Sequence, residues 1–291
     1  MTPSDFWEMT EAQLAETPLG ISVSRDDFYS QPEWDVYRLN YNTTGGHRLF
    51  AWLSVPKEGD GPFPALLRMP DYASVHDIIY TPLRHRAVVM NATHRSQRNS
   101  DAAYRASYPG LLTDGLGDGE SWVMLGAYAD ALRGLDALLR QDVAEIGPVA
   151  LWGAGLGASL ALSLASRRPR IAAVAADTPM PLGHPSAVDP ALGYPLGEIG
   201  DYLRAHPNRR ADVERTLGLL DPLGDASCVS APVLLSAGRF DRGTCPLAFA
   251  EELAQALPDC DLRLYDGAAE GGGHIHAVAR VAWLEEKLGV A

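Results

Sequence analysis

Residues Gly153-Ala154-Gly155-Leu156-Gly157 follow the apolar run Pro148 to Trp152 and lead into the Ala/Leu/Ser stretch Ala158 to Arg168. A buried strand turning sharply into a helix through Gly-x-Gly-x-Gly is the setting of a nucleophile elbow. The flanking glycines let strand and helix approach, and the central side chain is held exposed in a strained turn. Here the central residue is Gly155, which tolerates the positive φ of such a turn and supplies no oxygen to attack a carbonyl. A rival reading takes the glycines as a phosphate loop, but the dinucleotide fingerprint is G-x-G-x-x-G with an acid ~20 residues on. The third glycine comes one position early, and Asp177 sits at the end of the next strand, where acids are common. An elbow is followed in chain order by an acid and then a histidine. The run Pro232 to Ala237 leads through Gly238-Arg239-Phe240 to Asp241, where that acid belongs, and His274 and His276 stand at the start of the last helix.

Further candidates rest on residue type. Asp71, in Pro70-Asp71-Tyr72, and Glu270, in Glu270-Gly271-Gly272, are carboxylates of a type that serves as acid or base in a pocket. A pocket carboxylate with a raised pKa moves protons. His274 or His276 could serve as a relocated base, against the plain alternative of an exposed histidine at a helix start. Asp241 has a local alternative, a turn carboxylate bonded within its own loop. Cys245 follows Asp241 closely, and without a histidine partner it reads as a structural buried thiol. His94 reads equally as a strand-end cap, and His184 as a group that lines the pocket or faces water.

Such residues need a scaffold. With 291 residues, 46% hydrophobic and 21% charged, the chain has globular composition and the length to bury about three quarters of its unfolded surface. Its formal net charge of −13 repels phosphate backbones and anionic lipid, which argues against nucleic-acid and membrane partners. Cys228, Cys245 and Cys260 are too scattered for a disulfide framework or a zinc site. The acidic first residues lack the basic start of a secretory signal, and the expected location is cytoplasmic. No metal and no cofactor is expected, and the expected ligand is a small molecule.

Asp35 to Tyr41 and Leu49 to Val55 read as antiparallel strands about the turn Thr43-Thr44-Gly45-Gly46. Continuous apolar runs at Ala65 to Met69, Ala87 to Asn91, Pro148 to Trp152, Ile171 to Ala175 and Pro232 to Ala237 read as parallel strands buried on both faces. Helical patterns lie at Trp122 to Arg140, Ala158 to Arg168, Leu247 to Leu257 and Ile275 to Leu288, with a short strand at Leu262 to Tyr265. The expected fold is α/β, a doubly wound, mainly parallel sheet with an N-terminal antiparallel hairpin, in one domain over 1–291. A Pro/Gly-rich insertion at 179–225, with helices at Leu196 to Ala205 and Ala211 to Leu220, is expected to cap the strand ends and shape the pocket.

Tyr194-Pro195-Leu196-Gly197-Glu198-Ile199 with Tyr202-Leu203, Ala231-Pro232-Val233-Leu234 leading to Asp241 and Cys245-Pro246, and Arg95-Ser96-Gln97-Arg98-Asn99-Ser100 carry a resemblance. On these stretches, and nearly end to end, the chain resembles the acetyl xylan esterase and cephalosporin C deacetylase family of α/β-hydrolases. The stretches are similar to that family's Y-P-Y-x-E-I-x-x-Y-L, its acid loop and, in degraded form, its R-G-Q-G-x-S. The resemblance implies an α/β-hydrolase fold, a Ser-His-Asp triad and a ring-like homo-oligomer. Gly155 stands where the family has its serine, and Ala269, in Ala268-Ala269-Glu270-Gly271-Gly272, where its G-H-E-G-G has the catalytic histidine. Asp241 is the triad residue that remains. The family's H-G-Y is Pro70-Asp71-Tyr72 here, and the resemblance implies that the Tyr72 and Leu156 amides bind a substrate carbonyl oxygen.

Two missing members of the proton relay argue against serine-esterase chemistry. The main expectation is therefore noncovalent acid/base chemistry on a small molecule: cyclisation, dehydration, isomerisation or epimerisation, in a setting such as specialised metabolism. Asp241, Asp71 and His274 would be catalytic, and Tyr72, Gly155, Leu156 and Glu270 would bind substrate. One alternative is a carbohydrate or small-molecule acetyl esterase using activated water or a relocated base. Another is a catalytically dead ligand-binding relative.

Overall fold

The structure, a computed structural model, describes residues 1–73, 75–100, 109–189, 192–266 and 271–291. Helix α1 (Pro3–Glu16) opens on a capping box, in which the Thr2 hydroxyl accepts from the Asp5 amide and the Asp5 carboxylate accepts from the Thr2 amide. An antiparallel ribbon follows, β1 (Ser22–Arg25), β2 (Trp34–Asn42) and β3 (Arg48–Pro56), then β4 (Phe63–Arg68) and β5 (Val88–Ala92). The centre of the fold is α2 (Val123–Arg140), β6 (Ile146–Ala154), α3 (Leu156–Arg167) and β7 (Ile171–Asp177). The insertion holds α4 (Gly197–Ala205), α5 (Arg210–Leu217) and the single turn α6 (Pro222–Asp225); β8 (Val233–Gly238), α7 (Leu247–Ala256), β9 (Cys260–Tyr265) and α8 (Gly273–Leu288) complete the chain.

The strands form one sheet in the order β1-β2-β3-β5-β4-β6-β7-β8-β9. Pairing is antiparallel from β1 to β5 and parallel from β5 through β4, β6, β7 and β8 to β9. The apolar runs are therefore the parallel strands, and the two strands about the Thr43–Gly46 turn are the antiparallel pair β2 and β3, as expected. The two expected insertion helices are present, the second ending in a 3₁₀ turn at Gly218–Leu220. Helix α1 and strand β1 are additions that the sequence pattern does not announce.

One buried cluster runs through the molecule. It joins Phe6 and Trp7 of α1, Leu132 and Leu135 of α2, Leu160 and Leu164 of α3, and Ile199, Val213 and Leu217 of the insertion. A smaller cluster, with Leu66, Ala150, Ala175 and Leu284, packs α8 on the opposite face. Among the described residues no helix is long and apolar enough to cross a membrane.

Candidate active site

Strand β6 ends and α3 begins at Gly155, whose φ of 54° and ψ of −120° place it in a backbone region that residues with side chains enter only under strain. Its amide donates to the Asp177 carbonyl at 2.9 Å, tying the turn to β7. The flanking glycines are required by contact. A Cβ on Gly153 would stand 2.1 Å from the Gly157 backbone, and one on Gly157 would stand 2.9 Å from the Met69 carbonyl oxygen. This is the elbow that the spacing predicts.

Asp71 closes over the apex. Its Oδ1 accepts hydrogen bonds from the Tyr72 amide at 2.7 Å and the Leu156 amide at 3.2 Å. Those are the two donors expected to polarise a substrate carbonyl, so the hole they form holds the protein's own carboxylate. A Cβ built on Gly155 would lie 2.5 Å from that same Oδ1. The carboxylate therefore stands in the space that a side chain at the apex would enter. Leu156 N lies at the start of α3, where free amides and the helix dipole favour negative charge. Burial nevertheless pushes the Asp71 carboxyl above its usual range, against the two amide bonds and the Arg68 charge, which pull it down.

The segment that carries Asp71 is braced from two sides. Gln97 Nε2 donates to the carbonyls of Asp71 and Ala73 at 3.0 and 2.8 Å. From the insertion, the Glu198 carboxylate accepts from the Tyr72 hydroxyl at 2.6 Å and from the Leu112 amide at 3.2 Å, and that amide also lies 3.0 Å from the Tyr72 oxygen. Burial raises the Glu198 carboxyl, and burial together with Glu198 raises the Tyr72 phenol. A cavity of about 540 Å³ opens over the elbow, lined by Asp71, Tyr72, Gly155, Thr178, Tyr194 and Thr244 among others.

The structure brings together Asp71, Tyr72, Gly155 and Leu156. Asp241 is not among the residues that line the cavity. It is buried, with Oδ1 accepting from the amides of Gly243 and Thr244 and Oδ2 from that of Cys245, at 2.8 to 3.0 Å. That is the local turn arrangement. His274 is exposed on the first turn of α8, and Glu270 and Ala269 lie outside the described residues. His276 is buried, with Nε2 2.9 Å from Asp177 Oδ1 and Nδ1 3.0 Å from the Tyr265 hydroxyl, so its partner acid is Asp177, which lines the cavity, and not Asp241. The other Asp177 oxygen takes Trp152 Nε1 and Arg280. Burial lifts the Cys245 thiol well above its usual range, which makes it inert. His94 is buried at the end of β5, its Nδ1 on the Ser96 hydroxyl, and His184 caps a short 3₁₀ turn.

Thr178, Tyr194 and Thr244 line the cavity without having been picked out from the sequence. Tyr194 lay inside the Y-P-L-G-E-I stretch, a usable signal. Thr178 had none, since its φ of 47°, unusual for a β-branched residue, is a property of the fold. Among the described residues, no group of three or more His, Cys, Asp and Glu side chains is placed to hold a metal ion.

Comparisons with known proteins agree with one another. A model of the family described as acetyl xylan esterase (AXE1) matches residues 2–287. The acetyl esterase Axe7A of Xylanibacter ruminicola is 26% identical over 260 residues, covering 83% of this chain, which spans only 56% of that relative's length. The acetyl xylan esterase from Paenibacillus sp. R4 superposes with a TM-score of 0.86 at 25% identity, over 97% of this chain and 93% of the other. Acetyl xylan esterase 1 from Thermoanaerobacterium sp. JW/SL YS485 gives 0.83 at 20% identity, over 99% and 93%, a likeness of fold. These matches establish the α/β-hydrolase fold. They also overturn the expectation of noncovalent cyclisation, dehydration, isomerisation or epimerisation in specialised metabolism, since the family and these relatives are named for ester hydrolysis. The expectation rested on the absent serine and histidine at positions 155 and 269; the structure sets the Asp71 carboxylate against the apex where the serine would stand.

Proposed function

This chain belongs to the acetyl xylan esterase (AXE1) family, and from that premise we propose that it hydrolyses acetyl esters of carbohydrates, xylan among them, with Asp71 in place of the elbow side chain. One observation carries the reading: Asp71 Oδ1 lies 2.5 Å from where a Cβ on Gly155 would be, so a carboxylate occupies the reacting position. A carboxylate there activates water. Water gives its proton to Asp71 as its oxygen attacks the acetyl carbon. The tetrahedral intermediate then collapses, the sugar oxygen leaves with the proton that Asp71 returns, and acetic acid is the other product. The amides of Tyr72 and Leu156 hold the base in place, so their role is to position Asp71. The raised carboxyl favours this task, because a stronger base takes a water proton more readily. The three free cysteines fit a reducing compartment such as the cytoplasm.

The test is hydrolysis of 4-nitrophenyl acetate and release of acetate from acetylated xylan, by the chain and by its Asp71→Asn variant. Asn keeps an oxygen for the two amides and removes the base. Turnover should fall by about 100-fold or more, the usual worth of a general base. Equal rates would defeat the assignment to Asp71. Saturable binding of an acetylated sugar without turnover in either protein would favour a ligand-binding relative, a reading that the bare apex at Gly155 supports.

A further inference from the structure

The β2–β3 ribbon carries a second concavity, of about 470 Å³, inside the range of small-ligand clefts, about 300–1,000 Å³. Its floor is two cross-strand pairs, Arg38 with Trp52 and Asn40 with Phe50. Tyr29 closes one side, and the loops holding Val75 to Asp77 and Arg98 to Asn99 close the other. These loops also build the active site. The first carries Asp71 to Ala73 into the elbow cavity, and Gln97 of the second holds that segment through the Asp71 and Ala73 carbonyls. The first segment therefore lends lining residues to both cavities, Asp71 to Ala73 to one and Val75 to Asp77 to the other.

The lining combines aromatic rings with both donors and acceptors. Tyr29 and Phe50 meet Trp52 edge-on, at 5.0 and 4.9 Å between centroids. The amides of Asn40 and Asn99 each donate and accept, and Asn99 sits at a φ of 73°, which its side chain tolerates. His76 is buried with Nε2 unpartnered. Burial and the Arg68 charge hold this imidazole neutral, which leaves one ring nitrogen as an acceptor. Charge is balanced. The Arg38 fork is committed to Asp26, with Nε at 2.6 Å, and the rest of the lining holds one cation, the exposed Arg98, and one carboxylate, Asp77. A neutral ring with an apolar C–H face and a belt of hydroxyls matches this lining, and an anion does not.

We propose that this cavity is a carbohydrate subsite that takes a neutral sugar unit of the chain whose acetyl group reaches the elbow. The identity of that chain rests on the function proposed above, whereas the chemistry of the cavity does not. The test is calorimetric titration of the full protein with unacetylated xylotetraose, which carries no ester. Saturable binding should appear, and Tyr29→Ala or the double change Arg98→Ala with Asn99→Ala should weaken it about tenfold or more, a loss of about 1.4 kcal/mol. All three side chains are partly or fully exposed, so an unchanged melting temperature serves as the folding control. Absence of saturation by about 10 mM, equal affinity in the variants, or binding of glucuronate in place of xylotetraose would overturn the proposal. Because the readout is binding, xylotetraose held by a protein without esterase turnover would remove the esterase reading and leave the subsite standing.

Discussion

Asp71 can be tested by pH in two independent ways. As a base it must be ionised, so the acidic limb of the rate profile should rise through a pKa above the ordinary 3.8 of aspartate. A limb at or below that value would contradict a buried base. Stability runs in the opposite sense. A carboxyl whose folded pKa is raised contributes stability that is fully present below the unfolded value and is lost as pH rises through the folded one. Asp71→Asn removes that loss while keeping an acceptor for the Tyr72 and Leu156 amides. The variant should therefore melt at or above the parent at pH 7 and lose its advantage toward pH 4; a variant that melts well below the parent at pH 7 would show that the ionised carboxylate stabilises the fold. The sequence made Gly155 legible through the glycine spacing, and Asp71 through the resemblance of Pro70-Asp71-Tyr72 to the family's H-G-Y. It could not show the Asp71 carboxylate turned into the amide hole, because that depends on side-chain torsions and on two segments far apart in sequence. Asp241 is the converse case. Its loop position was legible, but a triad acid and a turn carboxylate share the pattern Asp-x-Gly, and only coordinates show its oxygens on three local amides.

Elements position the site through a few buried polar links, of which Glu198 is the most connected. It joins α4 to the Asp71 segment through Tyr72 and to the segment before α2 through the Leu112 amide. Glu198→Ala would leave the Tyr72 hydroxyl proton without its acceptor in a buried place, at a cost of about 1–3 kcal/mol. A chain of this size loses roughly 1.5–2 °C per kcal/mol, so thermal melts should fall by about 2–5 °C for Glu198→Ala and by much less for Glu198→Gln, which keeps an acceptor. Equal melting of Glu198→Ala and the parent would remove Glu198 as a link. The parallel strands were legible because burial on both faces leaves continuous apolar runs, a signal that survives without knowledge of their neighbours. Helix α1 was not, because its buried residues Phe6, Trp7, Thr10 and Leu14 are sparse among acids; the Thr2-x-x-Asp5 cap was the usable signal. Strand β1 has no buried residue and no alternation, and it exists through pairing with β2.

At the scale of the whole molecule, the insertion is part of the core. Ile199, Val213, Leu217 and Leu220 share one buried cluster with the helices on the sheet. Arg167 of α3 forks onto Asp225 at 2.8 and 2.9 Å, and its guanidinium lies 3.6 Å from the Trp7 ring centroid. A single side chain thus ties the elbow helix to the end of the insertion and to the start of the chain. A cap with its own small core would unfold by itself. One stitched into the sheet's core cannot leave without exposing apolar surface on both partners, which couples their unfolding. Differential scanning calorimetry should show a single endotherm of about 200 kcal/mol near 60 °C, at about 0.7 kcal/mol per residue. Arg167→Ala should lower its midpoint without splitting it. A separate early transition of about 30 kcal/mol, the amount expected for residues 179–225 alone, would mean that the insertion is an independent lid. In that event the Glu198 link to Tyr72 would open and close with the lid, and the placement of Asp71 over the elbow would depend on it.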